Sequence, residues 1–320
     1  MINIINSIGK FFSSLFYTGS AEATDINTLF LQYMILAGVI VLIVAGSIFT
    51  AAFLYRAKKR PEQPEQIFGN KKFEISWTVL PFLALTFFLI LTIRSMNGMN
   101  VASDKKANPD IIIIAHQWWW EMHYPKYNII TANELHIPIR KKLLMRITSA
   151  DVIHDWFVPE LGRKIDAVPG QLNYNWIEAD TAELYIGSCN EYCGEEHAWM
   201  RIRVIAQTPD DFNKWVKNQQ EIPQLPDTEP ALTGAKLFQE KACADCHSIR
   251  GTSAKSQVGP DLTHLGSRQT LISGMLKNNS KNLTRWLKDP QKVKAGALMP
   301  NFILDKNQIN ALVTYLEGLK

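Results

Sequence analysis

Residues 187–200 read GSCNEYCGEEHAWM. Cys189 and Cys193 stand four apart, His197 follows four further on, and Met200 three beyond that. Two thiols, an imidazole and a thioether on one short loop form a soft donor set, which favours copper over magnesium, calcium or manganese. Zinc accepts cysteine and histidine but scarcely ever methionine, so Met200 counts against it. A mononuclear blue-copper site needs one thiolate, two histidines and a weak axial methionine. Here a second thiolate is present, and two thiolates on one turn are placed to bridge two copper ions that share an electron. The second copper then needs its own histidine. His154, in SADVIHDWFVPELG (149–162), lies 35 residues upstream of Cys189 at an expected strand end.

A second cysteine pair lies outside this loop. CADCH (243–247) is the CxxCH signal for covalent attachment of c-type haem, with Cys243 and Cys246 forming the thioethers and His247 taking one axial position on iron. Met299, in LMP at 298–300, is the expected sixth ligand, since methionine and histidine together suit a high-potential electron carrier. Met275, in LISGML, reads as a helical core residue, and His264 would give a bis-histidine haem. These four are the only cysteines in the chain. Disulfides within the pairs would leave both following histidines unexplained.

The rest of the 320 residues divides by composition. Leu29–Tyr55 and Ile75–Ile93 are uncharged runs of 27 and 19 residues, with Pro81 inside the second. At about 1.5 Å per residue they reach roughly 40 and 28 Å, enough to cross a hydrocarbon core of about 30 Å. Between them stand Arg56, Lys58, Lys59, Arg60, Lys71 and Lys72, whereas Phe11–Thr28 has no Lys or Arg. Basic loops stay inside, so both chain ends and all four cysteines are expected on the external face. Residues 1–28 form an external segment, and Lys10, an apolar stretch and AEA at 21–23 fit either a signal peptide or an interfacial helix.

Past the spans the pattern turns to β. Runs at 111–120, 142–149, 172–179, 182–188 and 200–206 are β-branched or aromatic and are separated by Pro, Gly, Asn and Asp. They predict a small antiparallel sandwich or barrel within 95–220. EIPQLPDTEPAL (221–232) reads as a semi-extended linker. Helical spacing over 233–320 predicts an all-α module. Net charge is +4 overall, but the blocks differ: 13 basic against 18 acidic residues over 95–228, and 13 against 7 over 229–320. That asymmetry predicts a haem module that swings on its linker and is steered electrostatically onto the copper module. No nucleic-acid partner is expected.

The motifs CNEYCGEEHAWM and DVIHDWFVPELGRKIDAVPG (151–170) together resemble subunit II of the haem–copper cytochrome c oxidases. With the fused haem module, the chain looks like the caa(3)-type members of that family. The resemblance implies a multi-domain membrane protein: a two-helix transmembrane hairpin (29–94), a cupredoxin-like copper A domain (95–220) and a class I cytochrome c domain (233–320). It implies copper A ligands His154, Cys189, Glu191 (through its backbone carbonyl), Cys193, His197 and Met200. It also directs the Glu191 side chain to a magnesium site shared with subunit I. HQWWWEMHYP (116–125) is similar to the family's aromatic segment, whose first tryptophan, Trp118 here, admits electrons; Trp119 stands where the family usually has tyrosine. FEISWTVLP (73–81) resembles the start of the family's second span, which makes Glu74 the acid at a proton-path entrance.

What the resemblance implies about function is electron entry. Electrons from cytochrome c or another respiratory donor would pass through haem c and copper A to haem a of subunit I. That subunit holds the haem a3–CuB site for oxygen reduction and proton pumping, and subunit III completes the set. No catalytic residue is then expected in this chain, and the location implied is the bacterial plasma membrane with the cofactor domains outside. A copper A-containing nitric oxide reductase would use an equivalent subunit, and a membrane-anchored electron carrier is the reading without an enzyme.

Overall fold

The computed structural model describes residues 16–56, 68–99, 108–223 and 228–320. It separates into two compact units, one holding the two long apolar helices and the other Tyr17–Ala23 with everything described beyond the second helix. Residues 1–15 of the signal-like segment, Lys58, Lys59 and Arg60 of the basic loop, and 224–227 of the linker lie outside the described residues.

Helix α1 spans Ala21–Leu54 and helix α2 spans Lys71–Met99, both long and apolar enough to cross a membrane. The AEA triplet is the first turn of α1, and the Ser20 hydroxyl caps it by accepting the Ala23 N–H at 3.1 Å. Pro81 sits inside α2 without ending it. A tyrosine pins the two helices together: Tyr33 stacks on Phe88 at 4.3 Å and its hydroxyl is hydrogen-bonded to Thr92 Oγ1 at 3.1 Å.

The second unit begins with a sandwich of ten strands: β1 (Ile111–His116), β2 (Trp119–Tyr124), β3 (Ile129–Ala132), β4 (Glu134–Pro138), β5 (Leu143–Ser149), β6 (His154–Phe157), β7 (Ile165–Ala167), β8 (Asn173–Ile177), β9 (Leu184–Cys189) and β10 (Arg201–Gln207). One sheet runs β3-β2-β1-β5-β8 and the other β4-β10-β9-β6-β7. Alternation drives the packing. Ile111, Ile113 and Ala115 of β1 point inward, and Trp120, Met122 and Tyr124 of β2 complete that face, all essentially sealed from solvent. The sheets are mixed rather than antiparallel as expected, because β1 pairs β5 and β10 pairs β4 in parallel. The 111–120 run also divides, since a turn at Gln117–Trp118 folds it into a hairpin closed by the His116–Trp119 pair. Helix α3 (Pro209–Gln220) follows β10, capped by Thr208 and burying Phe212 and Val216 against the sandwich.

The C-terminal module is built on α4 (Glu229–Glu240), a two-stranded ribbon of β11 (Thr270–Leu271) and β12 (Leu276–Lys277), α5 (Ser280–Lys288), α6 (Pro290–Val293) and α7 (Lys306–Gly318). Helix α4 starts at Glu229, inside the stretch read as linker, because Pro230 at the first turn supports a helix start there rather than opposing one. Helices α4 and α7 cross where Gly234 meets Ala311 and Tyr315 so closely that an added Cβ would lie 2.1 Å from the Ala311 carbonyl oxygen. A capping box of Asp305 and Gln308 opens α7. Met275 is not helical; it sits in the turn of the ribbon, because Ile272, Ser273 and Gly274 all take left-handed backbone angles. Sandwich and helical module belong to one compact unit, with the helical module docked on the sandwich.

Candidate functional site

Strand β9 ends at Cys189, and the loop to β10 returns through a single helical turn, His197–Trp199. That geometry folds the soft donors inward. Cys189 Sγ lies 3.7 Å from Cys193 Sγ and 3.9 Å from His154 Nδ1. Cys193 Sγ lies 3.6 Å from His197 Nδ1 and 4.0 Å from Met200 Sδ. The Glu191 carbonyl is 3.2 Å from Cys189 Sγ, whereas its side chain is exposed. All six residues expected from the sequence therefore share one pocket, with His154, Met200 and both cysteines buried.

The electrostatics suit a cation. Hydrogen bonding between the two sulfurs, with help from His154, holds the Cys189 thiol well below its usual range against burial. The hydrogen bond to Cys189, with burial and the adjacent charge, pushes the Cys193 thiol up. Two sulfurs thus keep one proton between them until a metal displaces it. His154 is oriented from behind: its Nε2 meets Asp151 Oδ1 at 2.8 Å, which leaves Nδ1 for the sulfur side. The sequence reading missed Asp151, although an acid three residues before a metal-ligating histidine is a recognisable outer-shell signal.

Trp118 lies against the same loop. Its indole Nε1–H donates to the Cys193 carbonyl at 2.9 Å, and Gln117 Nε2 donates to that carbonyl at 2.8 Å. Gly194 makes the approach feasible, since at φ +116° a Cβ there would lie 2.8 Å from the Trp118 ring. Trp120 is sealed in the sandwich core and meets Trp156 edge-on, as expected of a packing residue, while Trp119 stacks on His116 at 4.2 Å.

In the helical module an open cleft is lined by Cys243, Cys246, His247 and Met299. Phe238, Leu283, Trp286 and Leu312 supply apolar walls. His247 Nδ1 meets the Pro260 carbonyl at 2.8 Å, which fixes the ring and leaves Nε2 for the cleft. The Met299 loop is clasped by Gln291, whose Nε2 donates to the Ala297 and Met299 carbonyls at 2.6 and 3.3 Å. The two rivals for the sixth position lie elsewhere. Met275 lines a separate depression with Ile186, Trp199 and Arg201 of the sandwich, and His264 is turned toward Arg250 and the Glu221 carbonyl. Trp118 and Trp119 also line this cleft, so one tryptophan borders both it and the cysteine loop. Glu74 lies exposed in the first turn of α2, where Oε1 accepts the Asn70 N–H at 3.2 Å.

Comparison with known proteins gives three family matches along the chain. The transmembrane domain of cytochrome c oxidase subunit II matches residues 12–96, its periplasmic domain 129–207, and cytochrome c 231–320. Cytochrome c oxidase subunit 2 of Alkalihalophilus pseudofirmus is 33% identical over 97% of this chain and 95% of its own length. The chain belongs to the cytochrome c oxidase subunit 2 family. The Bacillus subtilis member is 31% identical over 80% of this chain and 77% of its own. Among solved structures, the periplasmic domain of subunit II of cytochrome oxidase from Bradyrhizobium japonicum is 31% identical over 36% of this chain and 96% of that one, at a TM-score of 0.34.

Membership makes the protein a two-span membrane subunit of an oxidoreductase, with its soluble domains outside, and it implies copper A and haem c. The residues present fit both groups. At the β9–β10 loop two sulfurs lie 3.7 Å apart beside imidazole nitrogens and a thioether, a largely soft donor set close enough for both sulfurs to serve one metal cluster. The cleft offers two half-buried free thiols, an oriented imidazole and a thioether inside an apolar wall, as a covalently held haem requires.

Proposed function

We propose that this chain passes electrons into its oxidase from the haem cleft to the copper loop by way of Trp118. The observation that carries this reading is the double placement of Trp118, which lines the cleft and donates its indole N–H to the carbonyl of Cys193. When bound, the haem iron and the copper pair each take up and release one electron at a time, and reduction of oxygen belongs to the partner subunit I.

The chain's own residues supply placement. His154, Cys189, Cys193, His197, Met200 and the Glu191 carbonyl would hold the copper pair, and Asp151 keeps the His154 ring aimed at it. Cys243 and Cys246 would carry the haem, His247 and Met299 would supply its iron with a nitrogen and a sulfur donor, and the Gln291 clasp holds the Met299 loop in place. Burial of Cys189, Cys193, His154 and Met200 excludes water from the copper loop, which lowers the cost of moving charge there. The exposed Glu191 carboxylate is free to meet a magnesium ion at the face toward subunit I, and Glu74 to mark a proton-path entrance there. Subunit III and cytochrome c, or another respiratory donor, complete the set of partners.

Oxygen uptake by the purified native complex, started by adding reduced donor, tests the reading as a whole. Met299→Leu should erase the sulfur-to-iron absorption band, and Met299→His should lower the haem potential by removing the thioether's preference for ferrous iron. A band that survives Met299→Leu shows that another group holds the sixth position. Glu74→Ala should slow steady-state oxygen turnover of the assembled complex while electron transfer from the cleft to the copper loop keeps its rate. Unchanged turnover makes Glu74 an ordinary cap of α2.

A further inference from the structure

Glu134 is a carboxylate with 2% of its surface exposed, on strand β4 of the copper module, where Arg203 is its charged neighbour but gives it no hydrogen bond. Its partners come from the other module. Oε1 accepts the Thr270 N–H at 2.8 Å and the Thr270 hydroxyl at 2.6 Å, and Oε2 accepts the Gln269 N–H at 3.0 Å. Two consecutive backbone amides and a hydroxyl thus converge on one anion, an arrangement that gives strong, charge-assisted hydrogen bonds. Arg203, its parallel-register neighbour on β10, lies 3.7 Å from Oε1 and donates to the Gln269 side chain at 3.0 Å.

The ribbon held this way continues to Ser273, whose hydroxyl donates to the Trp118 carbonyl at 2.7 Å. Lys294, buried beside Glu196 at 3.8 Å, lies 3.4 Å from the same carbonyl. At the far end Arg250 donates to the Gln219 and Glu221 carbonyls, fastening the chain just past α3. Trp118 itself is 9% exposed. The contacts of Glu134, Ser273 and Lys294 are buried or partly buried, so salt screens them far less than it screens exposed charges.

We propose that Glu134 is the latch that fixes the cytochrome module on the copper module, in the one register that seats Ser273 and Lys294 on the Trp118 carbonyl and closes Trp118 to any separate donor protein. Glu134 is a positioning residue: it acts through the 269–273 ribbon and touches neither centre. A separate donor must then deliver its electron to this chain's own haem cleft. That consequence rests on the reading of the two centres given above, whereas the latch does not.

Hydrogen exchange of the full cofactor-loaded chain in detergent micelles tests it through backbone amides that touch neither cofactor. Glu134→Ala should speed exchange at the Gln269 and Thr270 amides by about tenfold or more, because their acceptor is gone. Glu134→Gln, nearly the same shape, should speed it by a smaller factor, since an amide oxygen still accepts but carries no charge. Wild-type exchange in a folded Glu134→Ala protein overturns the latch. If the alanine variant fails to fold, the glutamine variant decides, and wild-type exchange there overturns it equally. In the cofactor-loaded chain, haem-to-copper transfer should stay flat from about 0.1 to 1 M salt in the wild type and fall with salt in Glu134→Gln. A wild-type rate that falls with salt would show a steered, mobile module and overturn the latch, whereas absent copper or haem would refute the functional reading and leave the exchange result standing.

Discussion

Cys189→Ser is expected to cost the loop its copper pair: metal analysis should drop from two coppers per chain to one or none, and the paramagnetic signature of an electron shared over two nuclei should vanish. Cys189 is the sulfur whose ionised form the Cys193 and His154 contacts favour. A serine hydroxyl ionises far higher and is a hard donor, so neither the charge nor the softness is replaced. The loss should exceed about 100-fold in affinity, since removing even outer-shell partners of metal ligands costs 10–100-fold. Electron paramagnetic resonance with elemental analysis on the intact subunit is the measurement. A four-line spectrum from one copper in the wild type, or stoichiometric zinc, would refute the assignment. The same chemistry makes loading of the wild type proton-linked, because metal displaces the proton that the two sulfurs share. Uptake measured in two buffers of different ionisation heat should therefore reveal proton release.

Gly234→Ala should destabilise the cytochrome module by more than about 3 kcal/mol, and a leucine there should prevent it from folding. The added Cβ would lie 2.1 Å from the Ala311 carbonyl oxygen and 2.7 Å from Tyr315 Cβ, and neither atom belongs to a flexible tip. Relief would require α4 and α7 to part, and their contact buries Phe238, Leu312 and Leu316. For a module of this size the loss corresponds to a midpoint lowered by more than about 12 °C. Thermal melts followed by haem absorption would show it, with exposed Lys236→Ala on the same helix as control. A melting point within 2–3 °C, on the order of a surface substitution's effect, would mean that the two helices do not meet as closely as described.

How much of this was legible in the sequence varied with the range of the interaction. The metal loop was read in full because its donors lie within twelve residues, and only His154 had to be fetched from another strand. The two spans were equally plain, since lipid demands an unbroken apolar run. Strands β3, β4, β6 and β7 were not anticipated. They have three to five residues each, too few for alternation to rise above chance, and they exist because neighbours in the sheet pair with them. Met275 was placed in a helix because LISGML has helical spacing, but three left-handed residues in succession turn that stretch into a ribbon. Glu134 looked like any surface acid in sequence. Its role depends on amides more than 130 residues away, and no local pattern announces such a partner.

Asp151 anchors two things at once. Its Oδ1 holds the His154 ring at 2.8 Å, while its Oδ2 accepts the Gln117 N–H at 2.6 Å, immediately before Trp118. The proposed copper ligand His154 and the backbone that carries Trp118 therefore hang from a single carboxylate. Any shift of that carboxylate moves both together, which holds the gap between them steadier than two separate anchors would. Electron tunnelling falls off exponentially with that gap, and a common anchor narrows the spread of rates from one molecule to the next.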